Sequence, residues 1–110
     1  MTTLTRQDDV CILAIEGELN KATVEQFREL TEQCFAEDAR DFVVDFADCT
    51  GVDSKGLEAL TWLNREAQER LGMAKLSMLS EAMEKVMEIT RLDQQVDIRV
   101  TLEEALAALK

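Results

Sequence analysis

Apolar positions recur along the chain at two spacings, which predict short strands followed by amphipathic helices. Compact apolar runs predict strands at Val10 to Ile15 and at Asp41 to Phe46, the second apolar enough to be a central strand. Between them the apolar residues recur at three- and four-residue steps, which predicts a helix. That helical stripe consists of Val24, Phe27, Leu30 and Cys34.

The ends of the helices are indicated by capping residues and glycine. Thr23 with Gln26 three residues later has capping-box spacing and predicts the start of the first helix. The segment from Asp48 to Val52 is interpreted as a connecting loop, and a long helix is predicted from Asp53 to Leu71, with Gly72 just past its end. Its apolar face is predicted to consist of Leu57, Leu60, Leu63, Ala67 and Leu71.

The remaining elements continue the alternation. A strand is predicted from Ala74 to Leu79, a helix capped by Ser80, a weak strand from Val96 to Val100, and a last helix capped by Thr101. Alternating strands and helices favour an α/β fold with a largely parallel sheet. Since sites in such sheets form beyond the carboxyl ends of strands, we expect a functional site between Asp48 and Gly56.

Composition and charge limit the class of protein. A length of 110 residues with 46% hydrophobic and 32% charged residues predicts a single globular domain over residues 1–110. The net charge of -11 disfavours nucleic acid and anionic membrane surfaces as partners. Two interpretations of the acidity remain: it secures solubility, or it attracts a partner with a basic patch.

Cysteine usage and the chain start suggest a cytoplasmic protein. Cys11, Cys34 and Cys49 form neither an even set nor a CxxC pair, and the chain has no histidine, so we expect reduced thiols and no cysteine–histidine zinc site. The first residues have no apolar signal-peptide core, and no stretch approaches the roughly 20 apolar residues of a membrane span.

Catalytic machinery is not apparent in the sequence. Without histidine or tyrosine a serine triad lacks its base, and adjacent Ser54 and Lys55 do not have the spacing of a serine–lysine dyad. No phosphate-binding glycine motif occurs. The aspartates Asp45, Asp48 and Asp53 are interpreted as loop and cap residues rather than as a magnesium site. We therefore predict that the protein is not an enzyme and requires no metal or other cofactor.

The segment from Val52 to Leu57 is the best candidate site. Asp53 is predicted to cap the long helix, which puts Ser54 in the first turn with its hydroxyl exposed. Phosphate at a helix N-terminus is compatible with the fold, but it would cost several kcal/mol in an interface with no basic site to receive it. A purely structural alternative is a helix cap followed by Gly56 for close packing.

Four segments, in order and spacing, resemble the STAS domain of anti-sigma-factor antagonists. They are Gly17 to Asn20 with Thr23, Phe42 to Phe46, Val52 to Leu57, and Met83 to Asp93. The resemblance spans nearly the whole chain. It implies a mixed, largely parallel sheet of four to five strands with about four helices, in a single STAS-like domain.

The resemblance also implies a mechanism. The serine after the aspartate of the D-S-x-G-L pattern is the family's phosphoacceptor, and here it is Ser54. Unphosphorylated protein would bind an anti-sigma factor that is also a serine kinase, phosphorylation would end the binding, and a serine phosphatase would restore it. The kinase, not this chain, would bind ATP. An alternative is a non-switching STAS subunit of a larger assembly, such as a stressosome-like scaffold or a lipid-transport ATPase.

The expected partner surface surrounds Ser54 and departs from the family pattern at one position. Family members commonly have aspartate where this chain has Asn20, which bears on kinase recognition, and Lys55 places a cation beside the acceptor. The surface is predicted to consist of Asn20, Asp53, Ser54, Lys55, Gly56, Glu58 and Trp62.

Trp62 is open to two interpretations. Counting in steps of four from Ser54 through Glu58 puts Trp62 on the Ser54 side of the helix, where it would be an exposed interface anchor. Alternatively, a neighbouring helix half-covers it. A large loss of stability in Trp62→Ala would favour the second interpretation.

Overall fold

The computed structural model describes residues 1–109 and alternates strands with helices. Four helices and five strands occur in this range, with a 3₁₀ turn at Leu92–Gln94. In chain order the elements are β1 Thr2–Gln7, β2 Val10–Leu19, α1 Val24–Ala36, β3 Asp41–Val52, α2 Ser54–Glu69, β4 Ala74–Ser77, α3 Glu81–Ile89, β5 Asp97–Arg99 and α4 Leu102–Ala107.

The five strands form one sheet in the order β1-β2-β3-β4-β5. β1 is antiparallel to β2, and the remaining three neighbouring pairs are parallel. This confirms the α/β fold with a mixed, largely parallel sheet. Because β2, β3 and β4 run the same way, their carboxyl ends meet at one edge, where α1, α2 and α3 follow them.

Side-chain alternation gives the sheet two unequal apolar faces. The larger core contains Leu13, Phe42 and Leu76 from the strands together with Phe27 of α1 and Leu60 of α2. The smaller core joins Val10 and Val43 to Ala105 of α4. Helices α1 and α2 therefore pack on one face, and the six-residue α4 packs on the other.

Two predictions about strands were wrong. No strand was predicted before Val10, yet Thr2–Gln7 pairs with β2 over its whole length. The predicted loop from Asp48 to Val52 continues β3, because β2 is long enough to pair with it as far as Leu19–Val52, with bulges on the way.

Capping predictions had mixed outcomes. The side chains of Ser80 and Thr101 accept backbone hydrogen bonds at the starts of α3 and α4, as predicted. The capping box at Thr23 was wrong: Thr23 makes no cap bond, and the Oε1 atom of Gln26 accepts instead from the Thr2 N–H at 2.9 Å.

The predicted apolar face of α2 is correct except at its end. Leu60, Leu63 and Ala67 are buried, but Leu71 is 88% exposed and has a left-handed backbone, with φ of 62°. Gly72 follows because a Cβ there would lie 1.9 Å from the backbone oxygen of Arg40.

Candidate functional site

Asp53 joins two loops at the carboxyl edge of the sheet. Its Oδ1 atom accepts from the Gly56 N–H at 2.9 Å, the capping bond predicted for α2. Its Oδ2 atom accepts from the Lys21 N–H at 3.0 Å. These bonds, the Gly56 bond first, lower the pKa of Asp53 below its ordinary value. Asp53 thus stays ionised and fixes the β2–α1 loop against the start of α2.

Ser54 is the first residue of α2 and is exposed to solvent, as predicted. Within residues 1–109 its hydroxyl makes no hydrogen bond, so a modifying group would break no contact of the fold. The backbone N–H groups of the first helical turn lie beside it, where the helix dipole favours negative charge. The position is therefore accessible and suited to an anion.

Gly56 is buried, not solvent-facing. A Cβ at this position would lie 2.4 Å from the Leu19 backbone oxygen and 2.7 Å from Cγ1 of Val52. The structure therefore supports the packing interpretation for Gly56, since glycine lets α2 approach the ends of β2 and β3. Its contribution to a partner surface would be indirect.

Asn20 organises the β2–α1 loop, which Asp53 holds against the start of α2. Its Oδ1 atom accepts from the N–H groups of Ala22 at 2.9 Å and Thr23 at 3.1 Å, and its Nδ2 atom donates to Oε2 of Glu18 at 3.1 Å. An aspartate could make the first two bonds but would repel the Glu18 carboxylate. The Asn20 amide thus makes a hydrogen bond to Glu18 that an ionised aspartate could not make.

Lys55 and Glu58 are both exposed and lie 3.5 Å apart across one helical turn. Exposed pairs of this kind contribute at most about 1 kcal/mol, because water screens them and two long side chains must be ordered. Both remain free to exchange this contact for a bond to a partner.

Trp62 does not share the Ser54 face of α2. It is half-buried against α1, with its ring edge-on to Phe35 at 6.4 Å and the Arg28 guanidinium 4.9 Å from its centre. The interpretation that a neighbouring helix half-covers Trp62 is the correct one. The prediction that Trp62 lies on the Ser54 side of the helix was wrong, because its ring packs towards α1.

The side chains that do lie beside Ser54 form a shallow groove of about 370 Å³ between α2 and the segment after α3. The α2 wall could be found from helical spacing, which puts residues 54, 58, 61 and 65 on one face. The opposite wall could not, since it comes from tertiary packing. We call this the Ser54 groove; its lining is Ser54, Leu57, Glu58, Thr61, Arg65, Thr90, Leu92 and Gln95.

The aspartates of this region do not converge. Oδ1 of Asp45 accepts from the Ala47 N–H at 2.9 Å, while Asp53 is used as a cap. Across residues 1–109 no cluster of three or more Asp, Glu, Cys or His is arranged to hold a metal ion. Cys49 is buried, which raises the pKa of its thiol and disfavours the reactive thiolate.

No helix within residues 1–109 combines the length and apolar character needed to cross a bilayer.

The chain matches the model of one domain family and is similar to several solved structures. The model of the STAS domain matches residues 2–105. The protein TM1081 of Thermotoga maritima has a TM-score of 0.92 at 24% identity, with 98% of this chain and 93% of that chain covered. The Bacillus cell fate determinant SpoIIAA in its phosphorylated form has a TM-score of 0.78 at 23% identity, with both chains fully covered (100%).

A transporter-related protein is also similar. The sulfate transporter family protein of Wolinella succinogenes has a TM-score of 0.83 at 16% identity, covering 96% of this chain and 88% of that chain. At these identities the structural similarities establish the shared fold, and the match to the domain model extends over most of the chain.

Proposed function

Since this chain belongs to the STAS domain family, we propose that it is an anti-sigma-factor antagonist that acts by partner switching in the cytoplasm. In its unphosphorylated form it binds an anti-sigma factor that is also a serine kinase. Transfer of the γ-phosphoryl group of ATP to the Ser54 hydroxyl ends the binding, and hydrolysis by a serine phosphatase restores it. The chain is a ligand and a substrate, not an enzyme.

The single observation that carries the proposal is the position of Ser54. Its hydroxyl is exposed at the first turn of α2 and makes no bond within residues 1–109, so a kinase can reach it without unfolding the helix. The same geometry makes the phosphate compatible with the free protein, since the helix N-terminus accepts negative charge. Phosphorylation should thus leave the fold intact and act on binding alone.

Local charge explains why phosphate would end binding. Asp53 and Glu58 already flank Ser54, and the lowered pKa of Asp53 keeps it negative. Lys55 is the adjacent cation, but it pairs with Glu58 in an exposed position where water screens it. Adding about two negative charges there raises the desolvation cost of covering the Ser54 groove.

SpoIIAA provides a precedent within the fold. It is described as an anti-sigma factor antagonist, and it has been solved in both unphosphorylated and phosphorylated forms. Carried to this chain as a proposal, the accepting residue is the serine that follows the capping aspartate.

A second candidate function is a non-switching STAS subunit of a larger assembly. The similarity to a sulfate transporter family protein favours it, since that protein shares the fold with a TM-score of 0.83. In this case the same surface would be a permanent contact, and Ser54 would stay unmodified.

The deciding experiment is phosphorylation in lysate of the source organism supplied with ATP, followed by intact-mass and site-mapping mass spectrometry. We expect one added phosphate on the wild type and on Thr50→Ala, a control that removes another exposed hydroxyl nearby, and none on Ser54→Ala. Absence of phosphate on the wild type, while a control kinase in that lysate is active, would favour the permanent-subunit function.

Binding gives the complementary test. A partner captured from the lysate by wild-type protein and by Ser54→Ala, but not by Ser54→Glu, would fit switching, provided that circular dichroism finds all three folded. Equal capture by Ser54→Glu would contradict it.

A further inference from the structure

The outer strand β1 has an open hydrogen-bonding edge, and the pairing with β2 determines which of its residues direct their backbone groups outward. Met1 and Glu16 exchange two backbone hydrogen bonds of 2.7 Å, and the antiparallel pairing continues without a register shift. Since such bonds alternate along a strand, Thr2, Leu4 and Arg6 direct their backbone groups away from β2.

In two of these three residues the outward backbone groups are available for pairing. The Thr2 N–H is taken by Oε1 of Gln26 at 2.9 Å. The backbone N–H and C=O groups of Leu4 and Arg6 have no hydrogen-bond partner within residues 1–109. The free edge is therefore two outward-facing residues long, enough for four hydrogen bonds to another strand.

β1 lacks the features by which outer strands usually avoid pairing. The opposite edge, β5, is only three residues long and carries a charge at each end, Asp97 and Arg99. β1 has six residues with no proline, no bulge and no acidic group. Its one cation, Arg6, is paired with Glu37, the residue that caps the end of α1. Unprotected edges of this length are sites of strand addition.

We propose that β1 pairs antiparallel with β1 of a second copy of this chain, with the two-fold axis at Thr5. In this register Leu4 of each copy exchanges two hydrogen bonds with Arg6 of the other, which uses all the free groups and no others. Thr5 meets Thr5 across the axis, a β-branched pair that suits a sheet. The two sheets become one of ten strands.

Neighbouring registers are less favourable. An axis at Leu4 requires Thr2 to give up its bond to Gln26. An axis at Arg6 opposes two like charges and brings in Asp8, whose left-handed backbone, with φ of 50°, leaves the strand. The positions of the free backbone groups along β1 thus favour the register with its two-fold axis at Thr5.

The charge distribution favours a second copy over a foreign acidic strand or a random contact. The chain carries a net charge of -11, yet Thr2–Gln7 contains no acidic residue, so self-pairing brings no carboxylates together within the strand. The remaining negative charge repels at longer range, and we expect the dimer to strengthen as salt screens it. The pairing does not involve Ser54 and stands independently of the proposed switch.

Cysteine cross-linking tests the register. Paired residues at the axis have Cα atoms about 4.5 Å apart, within the range for a disulfide. We expect Thr5→Cys to give a disulfide-linked dimer under mild oxidation by dioxygen, seen as the doubled intact mass. Thr3→Cys, which faces Gln7 of the other copy, and the wild type, whose three cysteines are buried, should stay unlinked.

Solution measurements test the dimer itself. By sedimentation equilibrium we expect a concentration-dependent dimer whose dissociation constant rises at least about tenfold in Thr5→Glu, because two carboxylates then face each other. Wild-type protein that stays monomeric to about 1 mM, or cross-linking as strong in Thr3→Cys as in Thr5→Cys, would overturn the proposal.

Discussion

Gly56 lies where α2 contacts the ends of two strands, and the nearest atom there is a backbone oxygen, which cannot easily move aside. Since a Cβ would lie 2.4 Å from the Leu19 oxygen, we expect Gly56→Ala to lower the free energy of unfolding by about 1–3 kcal/mol through overpacking. Urea denaturation followed by circular dichroism measures this directly.

Gly51 provides a matched control for Gly56. Its Cβ would meet nothing closer than the Glu18 side chain at 3.8 Å, an ordinary contact. We therefore expect Gly51→Ala to change stability by less than about 0.5 kcal/mol. Equal losses in the two variants would contradict the close approach of α2.

Asp53 predicts a pH dependence with a defined sign. Hydrogen bonds, chiefly from the Gly56 N–H, lower its pKa below 3.8, so the folded protein binds the proton more weakly than the unfolded chain. The stabilisation is therefore fully present above about pH 4–5 and is lost as pH falls through the folded pKa. Asp53→Asn keeps an oxygen acceptor but does not titrate.

The comparison of Asp53→Asn with wild type isolates this charge. We expect the advantage of wild type, measured as the urea midpoint, to be constant from pH 7 to 5 and to shrink below about pH 4. A difference that stays constant to pH 3 would show that Asp53 does not titrate as its hydrogen bonds require.

At the scale of elements, Trp62 connects α1 to α2. It is half-buried against Phe35 and Arg28, so we expect Trp62→Ala to lower the unfolding free energy by about 2 kcal/mol, part of it from the lost cation–π contact. Glu58→Ala, an exposed change on the same helix, should cost less than about 0.5 kcal/mol. An unchanged urea midpoint in Trp62→Ala would instead favour the interpretation of Trp62 as an exposed partner anchor.

Strands β4 and β5 are joined by a partly buried ion pair. Lys75 is only 3% exposed, and its ammonium donates to Oδ2 of Asp97 at 2.7 Å. Desolvation would raise the pKa of Asp97, but bonds from Lys75 and Arg99 outweigh it and lower the pKa. The carboxylate thus compensates a cation that water barely reaches.

Removing Asp97 should leave the buried Lys75 ammonium without its compensating charge. We expect Asp97→Ala to cost about 2 kcal/mol, less than for a fully buried pair because the carboxylate itself reaches solvent. Arg99→Ala, which removes the exposed partner, should cost under about 1 kcal/mol in the same urea assay. A smaller loss for Asp97→Ala than for Arg99→Ala would contradict the role of Lys75.

The local sequence pattern predicted the elements that have a clear apolar spacing or a cap. It missed the strand segments that form only because they pair with a neighbouring strand. The four helices, β4, β5 and the first parts of β2 and β3 follow from apolar spacing and caps, whereas β2 continues past the predicted Ile15 to Leu19. β1 contains one large apolar residue, Leu4, and becomes a strand only by pairing with β2. The second half of β3 contains Asp48, which interrupts the apolar run, yet pairing with β2 extends it.

The site was predictable to the extent that it is local. The Asp53 cap and the exposed Ser54 depend on residues within one helical turn, and both predictions were confirmed. Trp62 was misplaced because each step of four advances about 400° around a helix, so two steps put it roughly 80° away from Ser54. Thr90 and Gln95 join the groove through tertiary packing, which spacing along α2 cannot reveal.

At the scale of the whole molecule, a net charge of -11 is confined within a body of 32 × 27 × 23 Å. Many of these charges lie within about 10 Å of one another, the screening length at 0.1 M salt, so they repel in the folded state. Within residues 1–109 the last turns of the four helices contain no basic residue. Among the basic side chains of this range, only Arg70, at the C-cap of α2, donates to a carbonyl of the final turn, that of Glu66 at 3.2 Å. Glu69 and Glu88 instead put exposed negative charge at helix C-termini.

Salt should therefore stabilise this protein. Raising sodium chloride from 0.02 to 0.5 M is expected to add about 1 kcal/mol of stability, a rise in Tm of roughly 4–8 °C. The variant with Glu69→Gln and Glu88→Gln, whose net charge is -9 (-11 plus 2), should have a higher Tm at low salt and a smaller response. Equal responses in the two proteins would mean that salt acts on apolar burial, since that contribution does not depend on the number of carboxylates.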